Sequence, residues 1–175
     1  MKSQLTSFRP VLAALTAVVL SCVFAGETTG EDTIGKLVNS AGLEWIIGSW
    51  EAEDDEGRKV ALTYRWDLDK HIISLHYKDS NSEGRGMIAY IDSQEKVVYS
   101  YADNRGGVGK GNWDEADGKA ILRYEHTEVD GDTQRLGFVH SRVDSNTMRV
   151  AIHSLSAAGE LSSDSEMSIN FKRKP

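Results

Sequence analysis

The feature that most constrains the fold is an alternation of apolar and polar residues that continues from Gly48 to Phe171. Within each run, apolar side chains recur at every second position, as Val60, Leu62 and Tyr64 do. Side chains of a β-strand point alternately to its two faces, so this period predicts strands with one apolar and one polar face. The chain is therefore expected to be all-β over this region.

Nine segments rich in Gly, Asn and Asp divide this region into ten predicted strands. Such residues adopt the positive φ of hairpin turns at least cost. The connections are too short for parallel crossovers, so the strands should form an antiparallel meander. Closure into an up-and-down barrel is favoured over two stacked sheets, because only the first and last strands remain to be joined. The segments are 54–57, 68–70, 79–84, 92–95, 104–107, 115–118, 129–132, 144–146 and 157–160.

Residues 1–25 have the pattern of an export signal. Lys2 and Arg9 precede an apolar run over 11–20 that is too short to span a bilayer, and Ala25 offers a cleavage position. The protein is expected to be exported, to a periplasmic or extracellular location. An uncleaved anchor and lipid attachment at Cys22, the only cysteine, are the alternatives.

The remaining chain is expected to form one domain. Residues 26–32 are polar and small and read as a flexible tether, and 33–175 as the barrel domain. Ile34 and Leu37 follow helical spacing, which predicts one or two short helical turns over 33–47. Without a second cysteine no internal disulfide can form, so stability must come from a packed core.

The charge balance argues against two classes of partner. The chain has 27 acidic and 20 basic residues, a formal net charge of −7. Nucleic acids and anionic membranes require clustered cations, so neither is an expected partner. A small hydrophobic ligand remains possible.

Three segments resemble a group of bacterial lipocalin-like domains of unknown function in the calycin superfamily. These are residues 43–50 with the motif Gly48-Ser49-Trp50, residues 99–113 with a second Gly-x-Trp at Gly111-Asn112-Trp113, and the closing Phe171-Lys172-Arg173. The resemblance implies a ten-stranded barrel like those of nitrobindin-like and fatty-acid-binding relatives, and it carries no established activity. In such a barrel Gly48 would permit the bend into the first strand, and Trp50 would pack across the closed end.

The five histidines do not predict a metal site. His71 and His76 are five residues apart in one predicted strand, which sends them to opposite faces. His126 and His140 both point inward in the predicted hairpin, but six residues of strand separate them by about 20 Å. His153 alternates with apolar neighbours and is expected to face solvent.

No cofactor, metal or catalytic residue is predicted. The resemblance implies that haem would be held by a histidine near the chain end, and the predicted last strand, 163–171, has none. The sequence has no cysteine beyond residue 25 and no Gly-x-Ser-x-Gly motif. Glu125, His126 and Arg135 could form a polar set at the barrel mouth or be ordinary cross-strand pairs.

Aromatic residues on the apolar faces give the main functional hypothesis. Many are tyrosines, whose hydroxyls suggest a lumen lined by rings with polar tips, although a packed core with tyrosines at its ends is equally compatible. The hypothesis is a barrel that binds a small apolar or amphipathic ligand. The alternatives are a non-catalytic structural or interaction module of the cell envelope, a small-molecule enzyme, or a haem binder. The candidate lumen residues are Tyr64, Trp66, Tyr77, Tyr99, Tyr101, Trp113, Tyr124, His126, Phe138 and His140.

Overall fold

A computed structural model describes residues 32–175. The predicted signal peptide, Cys22 and most of the predicted tether lie outside the described residues. One short helix, α1 (Ile34–Ser40), and a 3-10 helical turn (Glu44–Ile46) precede the sheet. The ten strands are β1 (Gly48–Glu53), β2 (Lys59–Asp67), β3 (Ile72–Lys78), β4 (Glu83–Ile91), β5 (Lys96–Asp103), β6 (Val108–Ala116), β7 (Lys119–Thr127), β8 (Thr133–Arg142), β9 (Thr147–Ser154) and β10 (Met167–Arg173).

The strands form a closed antiparallel barrel in which each strand pairs with its neighbours in sequence. Closure is made by β1 and β10, where Trp50 pairs with Arg173 and Glu51 with Lys172. The prediction of an all-β up-and-down barrel is confirmed. In the β7–β8 hairpin Leu122 lies opposite Phe138.

The longest connection, residues 155–166, replaces the predicted start of the last strand. β10 begins at Met167, so the strand predicted from residue 163 was placed too early. The connection folds back on the barrel instead, with Leu155 bridged to Leu161. The Leu161 side chain packs over Gly137 of β8, at a position where a Cβ atom would collide with it. Burial of these leucines against the outer face of the barrel stabilises this fold-back, so residues 163–166 do not join β10.

The helical segment closes one end of the barrel. The Thr33 hydroxyl accepts a hydrogen bond from the Lys36 amide at 3.3 Å and caps α1. Ile34 and Ile46 are buried in the barrel core together with Trp50. Within residues 32–175, no helix has the length and apolar character needed to cross a bilayer.

Trp50 and Arg173 lock the closed end. The Trp50 indole donates to the Ile46 carbonyl at 2.9 Å, and the Arg173 guanidinium lies 4.1 Å from the centroid of the indole ring. The guanidinium also donates to the carbonyls of Ile47 and Trp45, at 2.9 and 2.6 Å. Gly48 has φ of 138°, and a Cβ there would meet the guanidinium, so this position needs glycine. One side chain thus ties the last strand to the first turn and first strand.

Replacing Arg173 tests this lock. Arg173→Ala should lower the free energy of unfolding by about 2–4 kcal/mol, because two carbonyls lose charged donors and the Trp50 ring loses its cation. Arg149→Ala on the exposed face of β9, where the side chain donates to Asn170, should change stability by no more than about 0.5 kcal/mol. Urea denaturation measures both. Equal effects of the two substitutions would contradict the assignment of Arg173 as the lock.

Candidate functional site

The inner faces of the strands enclose a lumen of about 460 Å3. Side chains just fill the interior of an eight-stranded barrel. A ten-stranded barrel is wider, so the strand number is consistent with a cavity here. The volume falls in the range of about 300–1,000 Å3 that is typical of small-molecule sites. Asp79, Asp103 and Glu128 line it at the ends of β3, β5 and β7, which is the barrel end away from α1. We call this end the mouth and the opposite end, beneath α1, the floor.

Eight of the ten predicted lumen residues line this cavity. Trp113 is buried at the floor and faces the space beneath α1, and Trp66 packs against the core near the end of β2. Both side chains lie on the apolar face of their strands, as predicted. They lie towards the floor ends of β2 and β6, however, and neither lines the lumen. The eight residues are Tyr64, Tyr77, Tyr99, Tyr101, Tyr124, His126, Phe138 and His140.

Three tyrosine side chains lie over glycines of a neighbouring strand, with the hydroxyl end of each ring at the glycine. A Cβ at Gly84 would collide with the Tyr101 ring, and one at Gly109 would collide with the Tyr124 ring. The ring of Tyr99 covers Gly86 in the same way. Because each ring occupies the space of a missing side chain, the rings thicken the wall instead of filling the centre. The cavity therefore depends on glycines in β4 and β6.

Gly111 has a different role from these three. Its absent Cβ would meet the backbone carbonyl of Arg123 on β7, so glycine allows β6 and β7 to approach closely. Sequence reasoning assigned Gly111 to a motif and missed Gly84, Gly86 and Gly109. The available signal was glycine at alternate positions within strands, where a packed sheet would carry side chains.

The floor holds a buried polar cluster. The Tyr64 hydroxyl lies 3.1 Å from His140 Nε2, and the rings of His140 and Trp113 have centroids 5.0 Å apart. Burial lowers the pKa of His140 to about 4, although the backbone carbonyls of Phe138 and Ala120 oppose the shift. The imidazole is therefore neutral at physiological pH. His140 Nδ1 and Trp113 Nε1 make no hydrogen bond with any residue in 32–175.

The mouth holds a second polar cluster around His126. Its Nδ1 lies 2.9 Å from the Tyr124 hydroxyl, and its Nε2 lies 3.4 Å from Glu128 Oε1 and 3.7 Å from Asp103 Oδ2. Asp103 and Glu128 were not predicted, because a residue at or just beyond the end of a strand reads as a turn residue in the sequence. Only the register shows that these turns meet at one end of the lumen.

Asp79 is a further carboxylate at the mouth. It accepts hydrogen bonds from the Tyr77 hydroxyl and from the amides of Asn81 and Ser82. Burial opposes its ionisation, but these donors outweigh burial and hold the pKa of Asp79 below its ordinary value. The carboxylate is ionised at neutral pH.

The tyrosine walls carry no charge. Burial raises the pKa of the Tyr101 hydroxyl to about 12, and it raises the pKa values of Tyr99 and Tyr124 further. All three hydroxyls stay protonated at physiological pH. The lumen therefore offers apolar ring surface with neutral polar tips between two polar ends.

The remaining predicted polar residues lie outside the lumen. His71 was predicted to lie in a strand, but it lies in the turn before β3. Its Nδ1 bonds the Leu68 carbonyl there at 2.9 Å. His76 points outward and contacts Glu83 at 2.7 Å. His153 was predicted to face solvent but is half-buried under the 155–166 connection, where its Nδ1 lies 3.0 Å from the Ser162 carbonyl.

Glu125 and Arg135 do not join His126 at the mouth. They form a cross-strand ion pair at 2.9 Å on the outer face of β7 and β8, as the alternative reading held. Throughout residues 32–175, no group of three or more His, Cys, Asp or Glu side chains is arranged to hold a metal ion.

A second cavity, of about 1200 Å3, runs from beneath α1 towards Ala158 and Gly159 on the outside of β7. Its charged lining residues include Glu95, Lys96 and Asp114, and the Asp114 carboxylate is paired with the Arg123 guanidinium. The lumen, which strands surround on all sides and whose polar groups converge at its ends, has the features of a small-molecule site.

The chain matches no family model, and no curated protein matches it in sequence. The function is therefore argued from the geometry of the lumen.

The buried His140 gives the fold a specific pH dependence. The unfolded imidazole takes up a proton as pH falls through 6.5, whereas the folded one does so only near pH 4. The unfolded state binds more protons in this window, so stability falls as pH falls through it, by up to about 3 kcal/mol. The contribution is fully present above pH 6.5.

His140→Phe should remove this part of the pH dependence, because phenylalanine keeps the ring and has no titrating group. Denaturant unfolding from pH 7 to pH 4 measures it as the difference between wild type and variant, in which the carboxylate titrations cancel. The same comparison in a Tyr64→Phe background avoids an unpartnered hydroxyl. Parallel stability curves for protein with and without His140 would contradict the buried neutral imidazole.

Proposed function

We propose that the protein is an exported lipocalin-like barrel that binds a small amphipathic molecule in its lumen. The observation that carries the proposal is the cavity of about 460 Å3 behind a wall of tyrosine rings. Apolar walls with a few fixed polar groups are typical of small-molecule sites. Polar atoms at the mouth and the floor favour an amphipathic ligand over a wholly apolar one.

The lipocalin-like assignment and export rest on separate observations. The glycine and tryptophan of Gly48-Ser49-Trp50, held by Arg173 at the closed end of the barrel, support the first. The basic start and apolar run within residues 1–25 support the second. Neither observation depends on the lumen, so each proposal stands or falls alone.

A structural or interaction module is the alternative function, and it has no need of a cavity. A lumen filled by side chains, with less than about 300 Å3 of free volume, would favour that reading. The larger volume supports ligand binding, because an empty interior costs packing energy that a non-binding barrel has no reason to bear.

Filling the lumen tests the proposal. The purified protein should bind the neutral amphipathic fluorophore N-phenyl-1-naphthylamine saturably, at one molecule per chain. Leu136→Trp should weaken that binding at least about tenfold, because the indole would occupy part of the cavity lined by Leu136. Fluorescence titration measures the affinity.

The matched control is Met87→Trp, which adds the same ring on the exposed outer face of β4. It should bind the fluorophore like the wild type. Absence of saturable binding by the wild type, or equal loss in both variants, would overturn the proposal, provided that both variants retain the wild-type melting temperature.

A further inference from the structure

We propose that the mouth selects a cationic head group, an ammonium held between Asp103 and Glu128, so that the ligand is a cationic amphiphile. This inference rests on the proposed function and names the chemical class of its ligand. Three features of the mouth lead to it: a buried carboxylate with one oxygen that accepts no hydrogen bond within residues 32–175 and has only His126 nearby, an excess of negative charge, and flanking tyrosine rings.

Asp103 lines the lumen, and backbone amides hold one of its two carboxylate oxygens in place. Its side chain is only 6% exposed, unlike that of a solvated turn residue. Oδ1 accepts hydrogen bonds from the amides of Arg105 and Gly107, both at 2.9 Å. Oδ2 has His126 Nε2 as a neighbour at 3.7 Å, which is beyond hydrogen-bond distance. A buried carboxylate oxygen in this setting gains from a charged donor, and a ligand in the lumen can supply one.

The charges around the mouth favour a cation. Asp79, Asp103 and Glu128 carry three carboxylates, and Arg105 and His126 are the basic groups among the residues that line the lumen. Arg105 is exposed and acts on Asp79, whose ionised form it stabilises. Asp103 and Glu128 therefore face the cavity with His126 as their one basic neighbour. An anionic head group would be repelled here, because two charges of the same sign would approach each other in a site with little water.

The rings beside this pair suit an ammonium group. The centroid of Tyr101 lies 6.1 Å from that of His126, and that of Tyr124 lies 6.2 Å from Tyr101. Faces of neutral aromatic rings attract cations, and quaternary ammonium groups are commonly recognised by clusters of such rings. The same rings continue into the apolar wall, so a hydrocarbon tail would extend directly from the head group into the lumen.

Three probes with an unbranched ten-carbon chain and different head groups test the proposal: decylammonium, decanol and decanoate. By isothermal titration calorimetry, the wild type should bind the cation at least about tenfold more tightly than decanoate, with decanol between them. Equal affinity for all three, or a preference for decanoate, would overturn the inference and leave the proposed function standing. Absence of binding by all three would overturn the proposed function as well.

Two variants locate the effect. Asp103→Asn retains an acceptor for the two backbone amides and removes the charge, so it should weaken cation binding about tenfold and leave decanol unchanged. Glu128→Gln, whose side chain bonds no backbone group in the structure, should act in the same direction. Retained cation affinity in both variants would overturn the assignment.

The charge control is Asp132→Asn. Asp132 is exposed in the β7–β8 turn at the same end of the barrel and does not line the lumen. The substitution changes the net charge by the same amount, so it should leave the preference among the probes unchanged. A loss of cation affinity equal to that of Asp103→Asn would overturn the assignment, because it would show a general effect of net charge.

Discussion

The functional reading of this barrel depends on one packing constraint: three tyrosine rings lie against strand backbones at positions where the neighbouring strand has glycine. With alanine at Gly84, Gly86 or Gly109, a Cβ would occupy the place of a ring, and the ring would have to turn towards the barrel axis. Glycine within a strand costs conformational entropy and side-chain packing. Three such glycines surround one cavity, so the open lumen is a specific feature of this sequence.

The two ends of the lumen differ in charge: the floor holds neutral polar groups and the mouth holds carboxylates. At the floor, Tyr64, His140 and Trp113 are buried beneath α1, and the guanidinium of Arg173 fixes the adjoining closed end to Trp50. At the mouth, backbone amides hold the carboxylates of Asp79 and Asp103 in place. Under the proposed function, a ligand would enter from the mouth, and its head group would remain there beside the carboxylates.

Much of the fold could be predicted from the sequence, because each strand shows apolar residues at every second position and each turn is rich in Gly, Asn or Asp. Local signals fail where long-range packing decides, as in residues 155–166, where burial of Leu161 against Gly137 replaces the expected early start of β10. The inward positions of eight candidate residues followed from alternation alone. The boundary between lumen and floor did not, because it depends on how the helical segment caps the barrel, and this removed Trp66 and Trp113 from the lumen.

Asp103 and the glycines were missed for related reasons. A carboxylate at a turn and a glycine in a strand have ordinary local explanations, and only the register brings Asp103 to His126 or Gly109 beneath Tyr124. Sequence reasoning can nevertheless use the pattern it overlooked: glycines at alternate positions in one strand, with tyrosines at alternate positions in the next, predict rings that line a wall.

A high-resolution crystal structure of the ligand-free protein is the most direct test of the open lumen. The account predicts that the rings of Tyr99, Tyr101 and Tyr124 lie against Gly86, Gly84 and Gly109, around a continuous cavity of about 460 Å3. Rings turned towards the barrel axis, closing the cavity into a packed core, would contradict it.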